Sequence, residues 1–378
     1  MSHDSSRRDF FTHSGIAAGV SLVGFRTAFG AQANSALSVG LIGCGRRGTH
    51  VTGLFAQNEF AKVTALCDIY DDQIAAASKK FSGARTFKNL RDLLASDVDA
   101  VVIATPPYLH PEHFEAAVKA RKHIFMEKPA GVDVAGCKRV IEAGKKADPT
   151  KRITVDYQQR YGTDYRKAFE IVKSGELGAI KMVRASWLGG DLPRRSGHPK
   201  SEEKMRNWLF YREFSGDIIV EQNCHNLDVV NWFTGAHPIK ASGYGGRQVR
   251  TDIGDIMDNL AATFHFANGL VFSYSANQIS KGGFSDVSET FICEKGAVTT
   301  SRRGYKLYAG KERNSPPIEV VTKGDITKDA VDEFILGART GKIENASLSA
   351  AESTLTAIMA REAIYTGRET TWDGLIRS

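Results

Sequence analysis

The chain has 378 residues, with 42% hydrophobic and 25% charged residues and a formal net charge of +7. That is enough apolar surface for two or three packed domains, and it excludes a disordered, collagenous or coiled-coil chain. The 50 basic residues are interspersed with 43 acidic ones rather than gathered into a stripe, which speaks against a nucleic-acid partner; an anionic cofactor or substrate accounts for the excess.

Ser6-Arg7-Arg8-Asp9-Phe10-Phe11 is a twin-arginine pattern, followed by a weakly apolar stretch from about Gly15 to Phe29 and by Ala31-Gln32-Ala33. Small residues of that kind are accepted by a signal peptidase, so residues 1–33 are expected to be a leader cleaved after Ala33. The protein is then exported already folded, to the periplasm or an equivalent space. The stretch is short and interrupted by Arg26, so no permanent membrane anchor is expected. Five cysteines, at 44, 67, 137, 224 and 293, are odd in number and form no C-x-x-C, which fits buried thiols rather than a disulfide framework or a zinc site.

Leu37–Ile42 is a short apolar run, and Gly43-Cys44-Gly45-Arg46-Arg47-Gly48 follows it directly. A helical stretch from about Thr49 to Gln57 comes next, then the β-rich run Ala61–Cys67, closed by Asp68. G-x-G-x-x-G between a strand and a helix, with an acid closing the next strand, is a dinucleotide fingerprint. Gly43 allows the tight turn, Gly45 lets the backbone approach a pyrophosphate, and Gly48 lets the helix pack closely on the strand. The helix start offers N–H groups and a positive dipole end to the phosphates, with Arg46 and Arg47 within reach of them. Asp68 is suited to accept hydrogen bonds from the ribose hydroxyls and to repel a 2′-phosphate, and Ile69-Tyr70 offers no cation beside it. NAD is therefore expected rather than NADP.

The alternation continues. Val98–Ala104 reads as a buried strand broken by Thr105-Pro106-Pro107, and Pro111 starts a helix to about Arg121. His123–Met126 is the next strand and ends at Glu127-Lys128-Pro129; a helix from Asp133 to about Ala147 precedes the strand Arg152–Asp156. This predicts a doubly wound parallel sheet over residues 34–156, with ligands beyond the carboxyl ends of its strands.

From Tyr157 the period changes. Asp164–Lys173 reads as a helix and Ile180–Trp187 as a strand, followed by a polar, aperiodic segment from Leu188 to Ser215. Its Trp208 and Tyr211, with Trp187, Tyr157 and Arg160, are expected to form a carbohydrate cleft, in which aromatic faces pack on the C–H surface of a sugar and arginine binds its hydroxyls. Strands are expected at Ile239–Val249, Asn259–Phe266, Leu270–Asn277, Glu289–Cys293 and Lys306–Ala309, with Asn268-Gly269 as a hairpin signal. The second domain, residues 157–345, is thus an α+β unit with a large open, mainly antiparallel sheet. Residues 346–378 carry a helix, Leu348–Thr366, expected to pack back towards the first domain.

Glu127-Lys128-Pro129 after a strand, with Thr105-Pro106 and His110 one strand earlier and the glycine fingerprint before them, resembles the Gfo/Idh/MocA oxidoreductase family. Gly216-Asp217 leading to Glu221-Gln222-Asn223-Cys224-His225-Asn226-Leu227-Asp228 extends the resemblance. The family has a glycine turn there, then an acid four residues before a catalytic His, on a helix; this chain has Glu221 where Asp is commoner. The resemblance implies an N-terminal Rossmann domain, with Thr105, Pro106, His110 and Glu127 near the cofactor. It also implies a carbohydrate substrate, export of the twin-arginine type, and a homodimer or homotetramer formed through the second sheet.

Hydride transfer from a secondary alcohol needs a group to take the hydroxyl proton and a donor on the nascent carbonyl oxygen. Lys128 suits the second task and can share the first, and Glu127 can orient Lys128 or the cofactor. His225 is the natural proton acceptor, with Glu221 one helical turn before it and Asp228 almost one turn after, placed to hold the imidazole. Lysine-assisted hydride chemistry needs no metal, and none is expected. The leading reading is an exported NAD-dependent oxidoreductase of a sugar or glycoside, its cofactor tightly bound and non-dissociating, with oxidation at C3 implied by the resemblance. A second reading is a glycosidase that uses NAD catalytically through transient C3 oxidation, β-elimination, water addition and re-reduction. A third, a noncatalytic sugar- or nucleotide-binding protein, is opposed by the presence of Lys128 and His225.

Overall fold

The computed structural model describes residues 36–309, 312 and 315–377; the twin-arginine segment and its cleavage site lie outside them. The first unit is built from β1 (Leu37–Ile42), α1 (Arg46–Gln57), β2 (Ala61–Cys67), α2 (Asp71–Lys80), β3 (Arg85–Phe87), α3 (Leu90–Leu94), β4 (Ala100–Ile103), α4 (His110–Lys119), β5 (His123–Met126), α5 (Val134–Lys145) and β6 (Ile153–Val155). β4 and β5 are buried at every position, because helices cover both faces of the sheet; strands without a wet face read as nearly unbroken apolar runs. All pairings are parallel, in the order β3-β2-β1-β4-β5-β6. Strand order reverses between β1 and β4, which opens a crevice beyond their carboxyl ends. The segment α2–β3–α3 left little trace in the sequence, since α2 buries only Ala77 and β3 buries nothing.

The second unit begins with α6 (Thr163–Lys173) and β7 (Ile180–Leu188). Two helices, α7 (Ile218–Glu221) and α8 (Cys224–Thr234), precede β8 (Lys240–Gly246), β9 (Asn259–His265), β10 (Val271–Asn277), β11 (Asp286–Cys293), β12 (Ala297–Ser301), β13 (Gly304–Tyr308) and β14 (Ile318–Val321). With β15 (Thr370–Thr371) these strands form a nine-stranded sheet, ordered β14-β13-β12-β11-β7-β10-β9-β8-β15. Only β7 and β10 pair in parallel, so the sheet is mixed and mainly antiparallel. β10 alternates buried Phe272, Tyr274 and Ala276 with half-buried neighbours, the pattern of a sheet with one covered face. Gly269, at φ +82°, closes the turn between β9 and β10. β12 and β14 were not apparent in the sequence: one is a five-residue Ala-Val-Thr-Thr-Ser, and the other buries no side chain.

The chain returns to the first unit at α9 (Ile326–Thr340), earlier than residue 346. Its Phe334 meets Phe55 and Phe125 at 5.7 and 5.6 Å in edge-to-face contacts. Gly337 interrupts the apolar pattern of α9, and an added Cβ there would lie 2.3 Å from Arg152 Nη1. α10 (Ser347–Thr366) then packs on α5 and braces the loop after β5: Ala130 N donates to Thr354 Oγ1 (3.0 Å) and Arg361 Nη1 to Val132 O (2.6 Å).

Candidate active site

Gly43 sits at φ +95°, with an added Cβ 2.7 Å from the backbone of Ala104, and a Cβ on Gly48 would fall 2.0 Å from Gly43 O. Gly45 is different. Its nearest such neighbour is Arg195 Nη2 at 3.7 Å, so its backbone faces the open space of a cleft of about 850 Å³. α1 starts there with no side-chain cap and no acid in its first turn, which leaves its N–H groups for a ligand. These residues fit the pyrophosphate of a dinucleotide. Beside them, the Asp68 carboxylate is oriented by Cys44 N (2.8 Å) and Tyr70 N (2.9 Å), and burial pushes its pKa up. The tertiary structure also brings a cation to this end, unseen in the local sequence. Arg206 lies 3.6 Å from the Tyr70 ring centre and donates to both Asp72 oxygens at 2.8 Å, clasping the Leu188–Ser215 segment to α2.

Arg46 is exposed at the helix start, but Arg47 turns inward. Its Nε donates to Glu127 Oε1 (2.7 Å) and its Nη2 to Asp156 Oδ2 (2.5 Å), so it is tied to the loops after β5 and β6 and is not free to reach a phosphate. Two carboxylates at the wall of the sheet claim it first, since burying either unpaired would cost more than any exposed contact returns. His110 is buried too. Its ring nitrogens lie 2.7 Å from Pro129 O and 2.8 Å from Thr105 O, which staples the loop after β4 to the loop after β5. Burial lowers its pKa. Thr105 lines the cleft and its Oγ1 bonds His113 Nδ1 at 3.0 Å, whereas Pro106 is not among the residues that line it.

Lys128, followed by a cis peptide bond to Pro129, donates to Glu221 Oε1 at 2.8 Å and also to the Glu221 carbonyl oxygen. Burial alone would lower the ammonium pKa, but the Glu221 carboxylate overrides it and the net shift is upward. Lys128 therefore stays charged. Glu221 is a positioning residue for that ammonium, not for the imidazole.

His225 departs from expectation in how it is held. Glu221 ends α7 and Cys224 begins α8, so the motif is a broken helix rather than a continuous one. Asp228 is buried and accepts from Arg160 Nε and Nη2 at 2.8 Å each and from Ser353 Oγ at 2.7 Å. A permanent guanidinium satisfies a buried carboxylate better than a neutral imidazole does. Neither acid reaches His225, whose Nδ1 has no partner among the described residues. Aromatic packing fixes the ring instead: Trp187 stacks on it at 5.9 Å and 18°, and Tyr157 meets it edge-on at 6.0 Å. Burial, reinforced by Lys128, Arg302 and Arg47, depresses the His225 pKa well below 6.5, so the imidazole is neutral at neutral pH.

Of the residues expected to form a carbohydrate cleft, Trp187 and Trp208 line it together with Lys128, Glu221 and His225. Tyr157 is instead buried behind His225, its hydroxyl 3.0 Å from Thr354 Oγ1. Arg160 is committed to Asp228, and Tyr211 lines a separate hollow with Asp252 and Gly254. The sequence missed Arg302 altogether, because Ser301-Arg302-Arg303-Gly304 reads as an ordinary turn between strands. Among the described residues no group of three or more His, Cys, Asp or Glu is arranged to hold a metal ion, and no helix is long and apolar enough to cross a membrane.

Residues 37–157 match the family model described as oxidoreductase family, NAD-binding Rossmann fold, and residues 165–299 match that of the GFO/IDH/MocA C-terminal domain. The chain is 24% identical to myo-inositol 2-dehydrogenase of Thermotoga maritima over 258 residues, 68% of this chain and 72% of that protein. It is 25% identical to the uncharacterized oxidoreductase YrbE of Bacillus subtilis over 320 residues, 83% and 85% of the two chains. Among solved structures, levoglucosan dehydrogenase in complex with NADH and levoglucosan shares the fold at a TM-score of 0.75 and 20% identity, covering 89% of this chain and 99% of that one. Myo-inositol 2-dehydrogenase of Lactobacillus plantarum does so at 0.72 and 21%, with the same coverage.

Proposed function

The chain belongs to the GFO/IDH/MocA oxidoreductase family, and from that premise we propose that it is an NAD-dependent dehydrogenase of a secondary hydroxyl on a sugar, glycoside or polyol. The observation that carries this is the convergence of two groups in one cleft: an ammonium kept charged by Glu221 and an imidazole kept neutral by its surroundings. Relatives named for inositol and levoglucosan oxidation support the substrate class.

Bound NAD would supply the hydride acceptor, held by the glycine turn, the start of α1 and Asp68. The protein's own groups do the rest. Neutral His225 takes the hydroxyl proton, and Lys128 donates to the oxygen as it gains carbonyl character, in surroundings dry enough to strengthen that bond. Trp187 and Trp208 offer flat faces to the C–H surface of a ring. NAD is preferred to NADP because Asp68, at the end of β2, is suited to accept from the ribose hydroxyls, while Arg47 and Arg206 are both engaged by carboxylates. Export by the twin-arginine route, a retained cofactor, and assembly through the second sheet belong to the same proposal.

Denaturing the purified protein and identifying the released nucleotide by mass spectrometry tests the cofactor: NAD is expected, and NADP would overturn the Asp68 argument. Absorbance at 340 nm during incubation with inositols, pyranoses and methyl glycosides tests the reaction. A keto product with NADH is expected; phenol released from an aryl glycoside without net NADH would replace the dehydrogenase with a glycosidase.

A further inference from the structure

The charged groups around the cleft fall into two sets. Arg47 is paired with Glu127 and Asp156, Arg194 with Asp252, Arg206 with Asp72 and Glu202, and Lys128 with Glu221. Arg195 reaches the glycine turn and Arg46 begins the helix there, so both stand where a pyrophosphate is expected. Lys80 donates to Thr49 O (2.8 Å) on the helix that starts at the glycine turn, and Arg302 is left over. It lies at the turn between β12 and β13, lines the same cleft, and sits with its guanidinium carbon 5.4 Å from the Trp187 ring centre. Trp187 in turn stacks on His225, so this guanidinium belongs to the catalytic end of the cleft and not to the phosphate end.

Arg302 makes no hydrogen bond or ion pair to any described residue. The buried carboxylates that act on it, Asp156 and Glu289, are already taken: Arg47 Nη2 donates to Asp156 Oδ2 (2.5 Å), Asn226 Nδ2 donates to one Glu289 oxygen (2.6 Å), and Thr300 Oγ1 (2.7 Å) and Tyr165 OH (3.3 Å) to the other. Its side chain is exposed at the cleft and lacks a counter-ion, so a ligand anion would find a charge-assisted partner there without breaking an existing ion pair. Its planar fork matches a carboxylate or phosphate in two parallel bonds, and a ring lying on Trp187 would present such a substituent towards it.

We infer that the alcohol this enzyme takes carries an anionic group, as in a uronic acid or a sugar phosphate, and that Arg302 is the residue that selects it. The inference rests on the dehydrogenase reading above for the position of the ring, but its test does not depend on turnover.

Titration of the NAD-loaded protein by tryptophan fluorescence, with glucose, glucuronate and glucose 6-phosphate and the matching galactose series, measures the discrimination directly. At least one acidic member is expected to bind about tenfold or more tightly than its neutral parent. The two acidic arms distinguish carboxylate from phosphate. Arg302→Gln should bring acidic and neutral members within about twofold of each other by weakening the acidic ones more, with nucleotide content and melting temperature unchanged, and Arg302→Lys should keep part of the preference. The inference is overturned if no acidic member outbinds its parent, if Arg302→Gln weakens both kinds equally, or if it strips the nucleotide. Preferential binding through Arg302 with no NADH formed from any sugar would leave this inference standing and sink the dehydrogenase.

Discussion

The two walls of the cleft are built on different principles. The wall from the first unit is assembled from consecutive strand ends, and each of its features, the glycine turn, Asp68, Thr105 and Glu127-Lys128-Pro129, is fixed by a local strand–turn–helix sequence. The wall from the second unit is gathered from a strand (Trp187), an aperiodic segment (Trp208, Arg195), a broken helix (Glu221, His225) and a hairpin turn (Arg302). Chemistry that depends on the backbone can be written into a short motif. Chemistry that depends on converging side chains is written across more than a hundred residues, and its partners are chosen by competition for buried charge.

The comparison predicts that changes where the walls meet act on rate, and changes within one wall on cofactor or fold. The largest effect is expected at the junction. Lys128→Ala should lower kcat by ~10²–10³ and His225→Asn by ~10²–10⁴, both retaining the bound nucleotide. A variant that kept most of its kcat would break the pairing of ammonium and imidazole.

Next comes Gly48→Ala, confined to the first wall. The added Cβ meets Gly43 O at 2.0 Å, and the enforced shift should cost ~1–3 kcal/mol and reduce retained nucleotide. Thermal melting and nucleotide content check it; an unchanged melting temperature would show that the turn yields freely.

Glu221→Gln crosses the walls more gently. Without the carboxylate the Lys128 ammonium loses the influence that raises its pKa, so the alkaline limb of kcat/KM should move to lower pH, with a fall of about tenfold at neutral pH. The acid limb should stay where His225 puts it, below pH 6.5, because a base whose pKa is depressed remains neutral as pH falls through the ordinary histidine range. The same depression means that the unfolded chain binds this proton more readily, so the His225 contribution to stability is lost as pH falls below about 6.5. The smallest effect is expected for Tyr211→Ala, which lies outside the cleft: less than about twofold in kcat/KM. A large loss there would extend the second wall into the neighbouring hollow.

Much of this was legible before folding was considered. Fully buried parallel strands leave unbroken apolar runs, so β1, β2, β4 and β5 and the loops after them could be read directly, whereas β3, β12 and β14 could not, having little or nothing to bury. Lys128 and His225 were found by motif and share one cleft. Helical spacing misassigned their partners. It placed Asp228 and Glu221 on the imidazole, while in three dimensions Arg160 takes the first and Lys128 the second. Spacing along a helix fixes which residues are neighbours, not which of several neighbouring charges pairs with which.

The sequence alone determined the alternation of strands and helices, the glycine turn that needs a missing Cβ at Gly43 and Gly48, and the residue types able to move a proton and steady an oxygen. These follow from covalent geometry and from the period of apolar residues, both local properties. The tertiary structure decided which cations are spent on carboxylates, as Arg47 and Arg160 are, and which, like Arg302 beside Trp187, face the cleft without a counter-ion among the described residues. That is a matter of distance between segments far apart in the chain, and in a medium of low polarizability distance decides where a charge can rest.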